Sequence, residues 1–464
     1  GKTFEHIDQL EQGKATVVIT GQQTGLFDGP MYVLYKALTT IKVAERWSRL
    51  HNRPFVPVFW LAADDSDFDE INHLTFLDKQ FENRRLDIEK GVQGNVPVSA
   101  IPLGEKVDTV LSTLRERVQD SEFKQDIFHS LGEAYQPKAT ISHAFGCWLM
   151  HLLKEFGLIL IDPAVPEIRA LLSGVFAREI ESNSISTRAV LETSDDLSQR
   201  GYSPQVPLRE GRLNLFYLDS ERKPLEITDG GFQTTDGAHR FSDTELRDLA
   251  QNHPERFSPN VILRGVTQDT LFPTVAYIAG PSEIGYFAQL KGVYEAFDVP
   301  MPAIYPRKSL TLIEPTVDRI IDKYDLRMQD IWGHIDTVIT ELARQRLPQT
   351  LTSQIEAMKN EWPQALNALH DEIERLDPTL VKMLQNTAGK ITNTVENLEK
   401  KIVQAGKRQN DIARQQLHKA AAALYPNQNL QERVHNFTPY LVKYGPLLIE
   451  RLYEILDIST YHHQ

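Results

Sequence analysis

The chain has 464 residues, 41 % of them apolar and 24 % charged, the balance of an ordinary globular protein with room for two or three structural units. A formal net charge of -13 excludes a nucleic-acid backbone as the main partner, although an acidic chain can still hold a local basic pocket for small anions. The single cysteine, Cys147, excludes an internal disulfide framework and fits a reducing, cytoplasmic compartment, and no apolar run reaches the roughly 20 residues that a membrane span needs.

The chain opens on Gly1 rather than Met, which predicts a truncated or processed start, and no apolar signal region follows. Residues 15–20 form a short β-branched run that leads through Gly21-Gln22-Gln23-Thr24-Gly25 into a helical pattern at Met31, Leu34, Ala37, Leu38, Ile41 and Ala44. Further apolar runs at 55–62, 157–161, 273–279 and 301–305 each end in polar or Gly/Pro-rich sequence. Such runs are short and do not alternate, as expected of strands covered on both faces. With helical patterns between them they predict an α/β fold with a parallel, doubly wound sheet, in which ligands lie beyond the carboxyl ends of the strands. Residues 79–140 and 195–258 are too long for simple crossovers and read as insertions, the second β-rich.

Cys147 sits in the apolar stretch Ala144–Met150 and is expected to be a buried core thiol. After Pro315 the pattern changes. Val317, Ile321, Tyr324, Met328, Ile331, Ile335, Val338 and Leu342 alternate spacings of four and three, as do Leu384, Ala388, Ile391, Val395, Leu398, Ile402 and Ala405. These are coiled-coil heptads, with a third amphipathic helix between Pro348 and Pro378. The expected organisation is a core over 1–315, a helical arm over 316–423 that either packs on itself as an intramolecular bundle or dimerises the protein through its exposed seam, and a segment 424–464 that folds back on the core.

Four constellations could carry chemistry. The Thr20–Pro30 loop puts glycines and two neutral glutamine donors where a helix begins, which suits ligand contact, and it is neither a Walker loop nor a Gly-x-Gly-x-x-Gly turn. The Asp64–His73 stretch follows a strand and carries Asp64, Asp65, Asp67, Asp69 and Glu70. Carboxylates this dense repel unless a cation sits among them, so ammonium capture, divalent-metal binding, general base catalysis and plain helix capping all remain open. At Gly280–Lys291, Ser282 can cap a helix while Glu283 serves either its first turn or a pocket with Tyr286. Arg307 and Lys308 beside Ser309 and Thr311 make an anion clamp or merely a basic loop.

At these segments the sequence resembles the bacillithiol biosynthesis cysteine-adding enzymes, the BshC cysteine-ligase family. The matching strings are Gly21–Leu26 with Gly29-Pro30, Pro57–Ala62 with Asp65, Asp67 and Asp69–Asn72, His253–Val261 with Arg264, Ile278–Pro281, Glu283-Ile284, Tyr286, Leu290-Lys291, Pro306-Arg307 and Tyr444-Gly445-Pro446. Ser66 and Gly285 depart from residues common in that family, and its N-terminal helical segment has no counterpart at the start of this sequence.

The resemblance implies a Rossmann-like core related to class I aminoacyl-tRNA synthetases, with connecting insertions and a long antiparallel coiled coil. It also implies the last step of bacillithiol synthesis, in which L-cysteine is joined to the amino group of glucosaminyl-malate. ATP would activate the cysteine, or a preformed cysteinyl donor would replace it. In that picture Gln22, Gln23, Asp65 and Asp67 are catalytic. Gly21, Thr24, Gly25, Trp60, Asp64, Asp69, Asn72, Gly280, Ser282, Glu283 and Tyr286 line the substrate site, and Arg307, Lys308, Ser309 and Thr311 hold the nucleotide or another anion. No dedicated metal ligand is assigned. The competing expectations are a metal-dependent hydrolase or amidase built on Asp64–Glu70, and a non-catalytic nucleotide-binding coiled-coil scaffold.

Overall fold

A computed structural model describes residues 1–206, 208–409 and 411–458. It divides into two compact units, one formed by residues 1–310 together with the C-terminal segment from Glu432, the other by Thr311–Gln431.

The first unit is built on five parallel strands, β1 (Thr16–Gln22), β2 (Phe55–Leu61), β3 (Ile159–Ile161), β4 (Thr274–Ala279) and β5 (Ala303–Pro306), in the order β5-β4-β1-β2-β3. These are the five apolar runs of the sequence. The middle of β1 and all of β2 are buried, so each strand needs apolar residues on both faces and shows no period-two alternation. The chain lays down β1, β2 and β3 outward in one direction, then returns to add β4 and β5 on the other side of β1. The order therefore reverses between β1 and β4, which opens a crevice at their carboxyl ends. Helix α1 (Tyr32–His51) follows β1 and buries Val33, Leu34, Ala37, Leu38, Ile41, Val43 and Ala44. It stops at Asn52, whose left-handed backbone (φ 49°) closes its last turn.

The insertion over 195–258 ends in an antiparallel sheet of five strands, whose order is 257–259, 212–218, 222–228, 231–234 and 240–241. Its edge strand delivers the chain into α2 (Val261–Leu271), capped by the Asn260 side chain, which accepts from the Ile262 N–H at 2.9 Å. The insertion over 79–140 is largely helical, after the hairpin His73–Leu77/Asn83–Asp87. The C-terminal segment joins the first unit through short bridges of Asn436 to Pro30 and of His435 to Thr75.

Cys147 is exposed, contrary to the expectation of a buried thiol. Helix Ile141–Leu153 turns Ala144, Phe145, Trp148 and Leu149 inward, and the residues one turn apart on its other face, His143 and Cys147, outward. An apolar neighbourhood in sequence does not tell which face of a helix a residue occupies.

In the second unit the longest helix, α4 (Thr379–Gln409), carries the second set of heptads without interruption. The first set is not one helix. It breaks into Pro315–Lys323, Met328–Trp332 and Ile335–Gln345, with Asp325 at positive φ and Gly333 ending the middle piece. The buried residues are accordingly Val317, Ile320, Tyr324, Ile331, Ile339 and Ala343, which only partly follow the expected seam. Among the described residues no helix is long and apolar enough to cross a membrane.

Candidate functional site

A cavity of about 490 Å³ opens at the carboxyl ends of the sheet strands, beside the β1/β4 switch point. Each loop that leaves β1, β2, β4 and β5 supplies part of its wall.

At the end of β1, Gly21 pairs with Trp60 of β2. A Cβ at residue 21 would lie 3.1 Å from both the Cβ and the carbonyl oxygen of Trp60, so only glycine lets the strands approach here. The next residue, Gln22, donates to the Tyr32 hydroxyl at 3.0 Å, and Gln23 donates to Asp65 Oδ2 at 2.9 Å.

Beneath this loop lies Lys36 of α1, its side chain only 1 % exposed. Its Nζ donates to the Gly21 carbonyl at 2.6 Å and to Gln22 Oε1 at 3.2 Å, and it forms an ion pair of 2.5 Å with Glu283. Burial pulls the Lys36 pKa down, while Glu283 opposes that shift. For Glu283, burial pushes the pKa up, but the Lys36 ammonium and the hydroxyl and N–H donors outweigh it and hold the carboxyl below its usual range. Those donors are the Tyr277 hydroxyl at 2.6 Å and the Gly280 N–H at 2.7 Å. Glu283 thus serves the helix start and the cavity together. The N-cap of this helix, α3 (Pro281–Phe287), is Gly280, and Ser282 lies exposed in its first turn.

Arg264 of α2 reaches the same floor and donates through Nη2 to the Tyr277 and Tyr286 hydroxyls, at 3.1 and 2.9 Å. The opposite wall comes from the β-rich insertion. Arg222 lies over the Phe216 ring at 3.6 Å, donates to Ser258 Oγ and the Pro259 carbonyl, and approaches Asp65 to 3.7 Å. Asp64 is buried against Arg169, and burial raises its pKa against the pull of that guanidinium. Arg307 lines the cavity with its fork already engaged by Glu432, at 3.0 and 2.7 Å, both side chains almost fully buried. The anion expected at this clamp is here a carboxylate of the protein itself.

The cavity therefore brings together Gly21, Gln22, Gln23, Trp60, Asp64, Asp65, Gly280, Ser282, Glu283, Tyr286 and Arg307. It does not include the other expected residues. Thr24 is wholly buried, and Gly25 lines a separate hollow of about 190 Å³ with Glu70 and His73. Both lie where the loop bends away through Phe27 and Asp28, each at positive φ (49° and 69°), tied down by Asn436 Nδ2 on the Phe27 and Gly29 carbonyls. Asp67 and Asp69 are exposed around the short helix Phe68–Ile71, with Asn72 beside Asp69 at 3.5 Å. The Lys308 N–H donates to Thr39 Oγ1 at 3.2 Å, Ser309 is exposed, and Thr311 belongs to the second unit.

The carboxylates of 64–70 thus point to different neighbours. Among the described residues the one cluster of metal-ligating side chains is His370, Asp371 and Glu374 in the second unit. The donor set that a hydrolase metal would need in the acidic stretch is not assembled there.

Sequence reasoning did not single out Tyr32, Lys36, Phe216, Arg222, Asn260 or Arg433 as cavity residues. Lys36 left one signal, a charged residue among the apolar positions of an otherwise buried helix. Arg222 left none, because an insertion strand reaches the site only through tertiary packing.

Two family models cover the chain. "Bacillithiol biosynthesis BshC, N-terminal Rossmann-like domain" matches residues 1–308, and "Bacillithiol biosynthesis BshC, C-terminal coiled-coil domain" matches residues 310–464. A relative from Salinibacter ruber is 36 % identical and aligns with 100 % of this chain and 85 % of its own length. Relatives from Desulforamulus reducens (32 % identical, 100 % and 86 % covered) and Chlorobaculum tepidum (34 % identical, 98 % and 84 % covered) match comparably. All three carry the name "Putative cysteine ligase BshC". With both halves matched in order and the sheet order that of a Rossmann-like core, the chain belongs to the bacillithiol biosynthesis BshC family.

Proposed function

We propose that this chain is a ligase that forms an amide between L-cysteine and the amino group of glucosaminyl-malate, completing bacillithiol. The observation that carries the reading is the single cavity at the switch point, into which the glutamine loop, Asp65 of the acidic loop and Arg307 all project from a chain of this family.

In this reading Asp65 takes up the proton that the sugar ammonium must lose before its nitrogen can attack the activated cysteine carboxyl carbon, whose bond to the activating phosphate group would break as the amide forms. Asp65 lines the cavity, is partly open to solvent and is oriented by the Gln23 amide. Glu283, fully engaged by Lys36, Tyr277 and Gly280, orders the floor of the cavity on which the substrates lie. Trp60 and Phe216 give the apolar surface a thiol-bearing side chain needs.

A ligase of this kind needs its carboxylate activated, and ATP is the cofactor whose phosphate chemistry does so. The residues fit a phosphate-bearing group. Gln22 and Gln23 each show one protein acceptor for an amide that has two N–H donors, and both line the cavity. In solution the helical second unit joins two chains, and the exposed Leu376, Met383 and Leu398 provide the contact.

The test is a strain lacking this protein. It should accumulate glucosaminyl-malate and lack the final thiol, with both restored by the wild-type chain. Normal thiol levels in that strain rule the reading out.

A further inference from the structure

Arg264 is the partly buried cavity cation that makes no direct ion pair, the Glu283 carboxylate acting on it only at a distance. Lys36 has Glu283, Arg222 has Asp65, and Arg307 has Glu432. Arg433 is exposed at the rim, where water can solvate it. Arg264 is partly buried, and among the described residues no carboxylate pairs with it. Two tyrosine hydroxyls accept from its Nη2, while Nε and Nη1 make no hydrogen bond to any described residue. No Arg264 nitrogen is both buried and unpartnered, so its free donors can be reached from the cavity and offer an anion a charge-assisted hydrogen bond.

The backbone keeps that edge accessible. Any Cβ at residue 21 would sit 3.3 Å from Arg264 Nη1, so glycine at the end of β1 leaves the approach to Nη1 clear. Gly280, at the end of the adjacent β4, likewise leaves open the space beside Arg307 Nε, 3.7 Å from where its own Cβ would be. Tyr277 and Tyr286 hold the guanidinium plane in place, and Tyr277 is itself fixed by Glu283.

We infer that Arg264 is the oxyanion-recognising residue of this cavity, receiving an oxygen of a carboxylate or phosphate group of the bound substrates on its Nη1. Tyr277 and Tyr286 are its positioning residues. Both hydrogens of Nη2 are spent on the two tyrosines, so the oxyanion meets Nη1 in one charge-assisted hydrogen bond, from a guanidinium held in plane in a way that a lysine ammonium cannot reproduce. The inference rests on the ligase reading for its choice of ligand. Under that reading the anion is a carboxylate of the malyl group or a phosphate of the nucleotide.

The full-length chain should be titrated separately with L-malate and with inorganic pyrophosphate by isothermal titration calorimetry. Wild type is compared with Arg264→Lys, Arg264→Gln and the exposed-surface control Arg46→Gln. Loss of the charge-assisted pair should weaken binding about tenfold or more in both Arg264 variants and leave the control unchanged. If malate binding falls and pyrophosphate binding does not, the malyl carboxylate is the ligand; the reverse assigns the nucleotide phosphate. Equal affinities in wild type and variants, or no saturable binding of either anion to wild type, overturn the inference.

Should Arg264→Gln fail to fold by circular dichroism, wild-type crystals soaked in malate and in pyrophosphate decide. Density of either anion within hydrogen-bond reach of Nη1 supports the inference, and density of both only elsewhere in the cavity sinks it. The two readings fail separately. Arg264-dependent anion binding in a chain that makes no thiol product keeps this site and removes the ligase. Thiol synthesis with an unchanged KM for glucosaminyl-malate and for ATP in Arg264→Lys does the opposite.

Discussion

The ammonium of Lys36 and the carboxylate of Glu283 lie 2.5 Å apart, joining the helix that follows β1 to the helix that follows β4 across the point where the sheet order reverses. Four further contacts fasten the pair: the Gly21 carbonyl and Gln22 Oε1 on one side, the Tyr277 hydroxyl and the Gly280 N–H on the other. A buried ion pair of this kind owes its worth to geometry, because desolvation of each charge nearly cancels their attraction.

Removing one member should therefore cost far more than removing both. Lys36→Met strands the Glu283 carboxylate and is expected to lower stability by about 3–5 kcal/mol. The double variant Lys36→Met with Glu283→Gln should recover a large part of that loss. Urea denaturation of the wild type, both single variants and the double variant measures it. Additive losses would show that the two groups do not act as a pair.

Asp65 and Asp67 stand two residues apart but are expected to behave differently. Asp65→Asn should slow thiol formation by roughly 10²-fold or more, as expected for loss of a proton acceptor, with little change in melting temperature. Asp67→Asn alters an exposed side chain outside the cavity and should stay within about 0.5 kcal/mol in stability with near wild-type turnover. Product formation measured by mass spectrometry under saturating substrates separates them.

Acid stability should depend on His435. It is buried with Nε2 2.7 Å from Asn83 Oδ1 and Nδ1 3.3 Å from the Tyr440 hydroxyl, and burial drives its pKa down to about 3. The unfolded chain takes up this proton near pH 6.5, whereas the fold refuses it until about pH 3. The neutral histidine is thus fully compatible with the fold above about pH 6.5, and stability falls as the pH drops from there toward 3. Burial lowers the pKa of His6, His73 and His151 too, so part of the slope belongs to them. The comparison of wild type with His435→Gln isolates the rest: between pH 6.5 and 4.5 the variant's urea midpoint should fall less steeply. Parallel curves would exclude His435 as a source.

The proposed dimer has its own test. Leu376, Met383 and Leu398 are 81, 66 and 48 % exposed on the second unit, the apolar side chains that the proposed contact would cover. Light scattering of the full chain should give twice the chain mass, and the triple variant with glutamate at all three positions should give the chain mass alone. A wild-type monomer removes the proposal.

The parallel sheet was legible in the sequence because its strands are covered on both faces. Val17–Ile19 and Phe55–Leu61 must be apolar without alternation, and a continuous apolar run is visible without any partner strand. The strand-end loops were legible for a related reason. Gly21 and Gly280 mark close backbone approach, and polar residues directly after a buried strand stand at the rim of a sheet. The heptads of α4 were legible too, whereas those over 317–342 misled. A spacing of three and four survives a chain break, and Asp325 and Gly333 interrupt the helix without disturbing the count.

Sequence by itself determined the order of elements and which loops face the sheet's functional rim, since both follow from local periodicity and from where apolar runs end. Tertiary structure alone decided which charges meet. Asp65 enters the cavity while Asp67 does not, because the chain turns into the short helix Phe68–Ile71 between them. Arg307 finds Glu432, Lys36 finds Glu283, and Arg264 finds no carboxylate. These pairings join residues more than a hundred positions apart, and an electrostatic energy depends on separation and burial, neither of which is written in the order of residues along the chain.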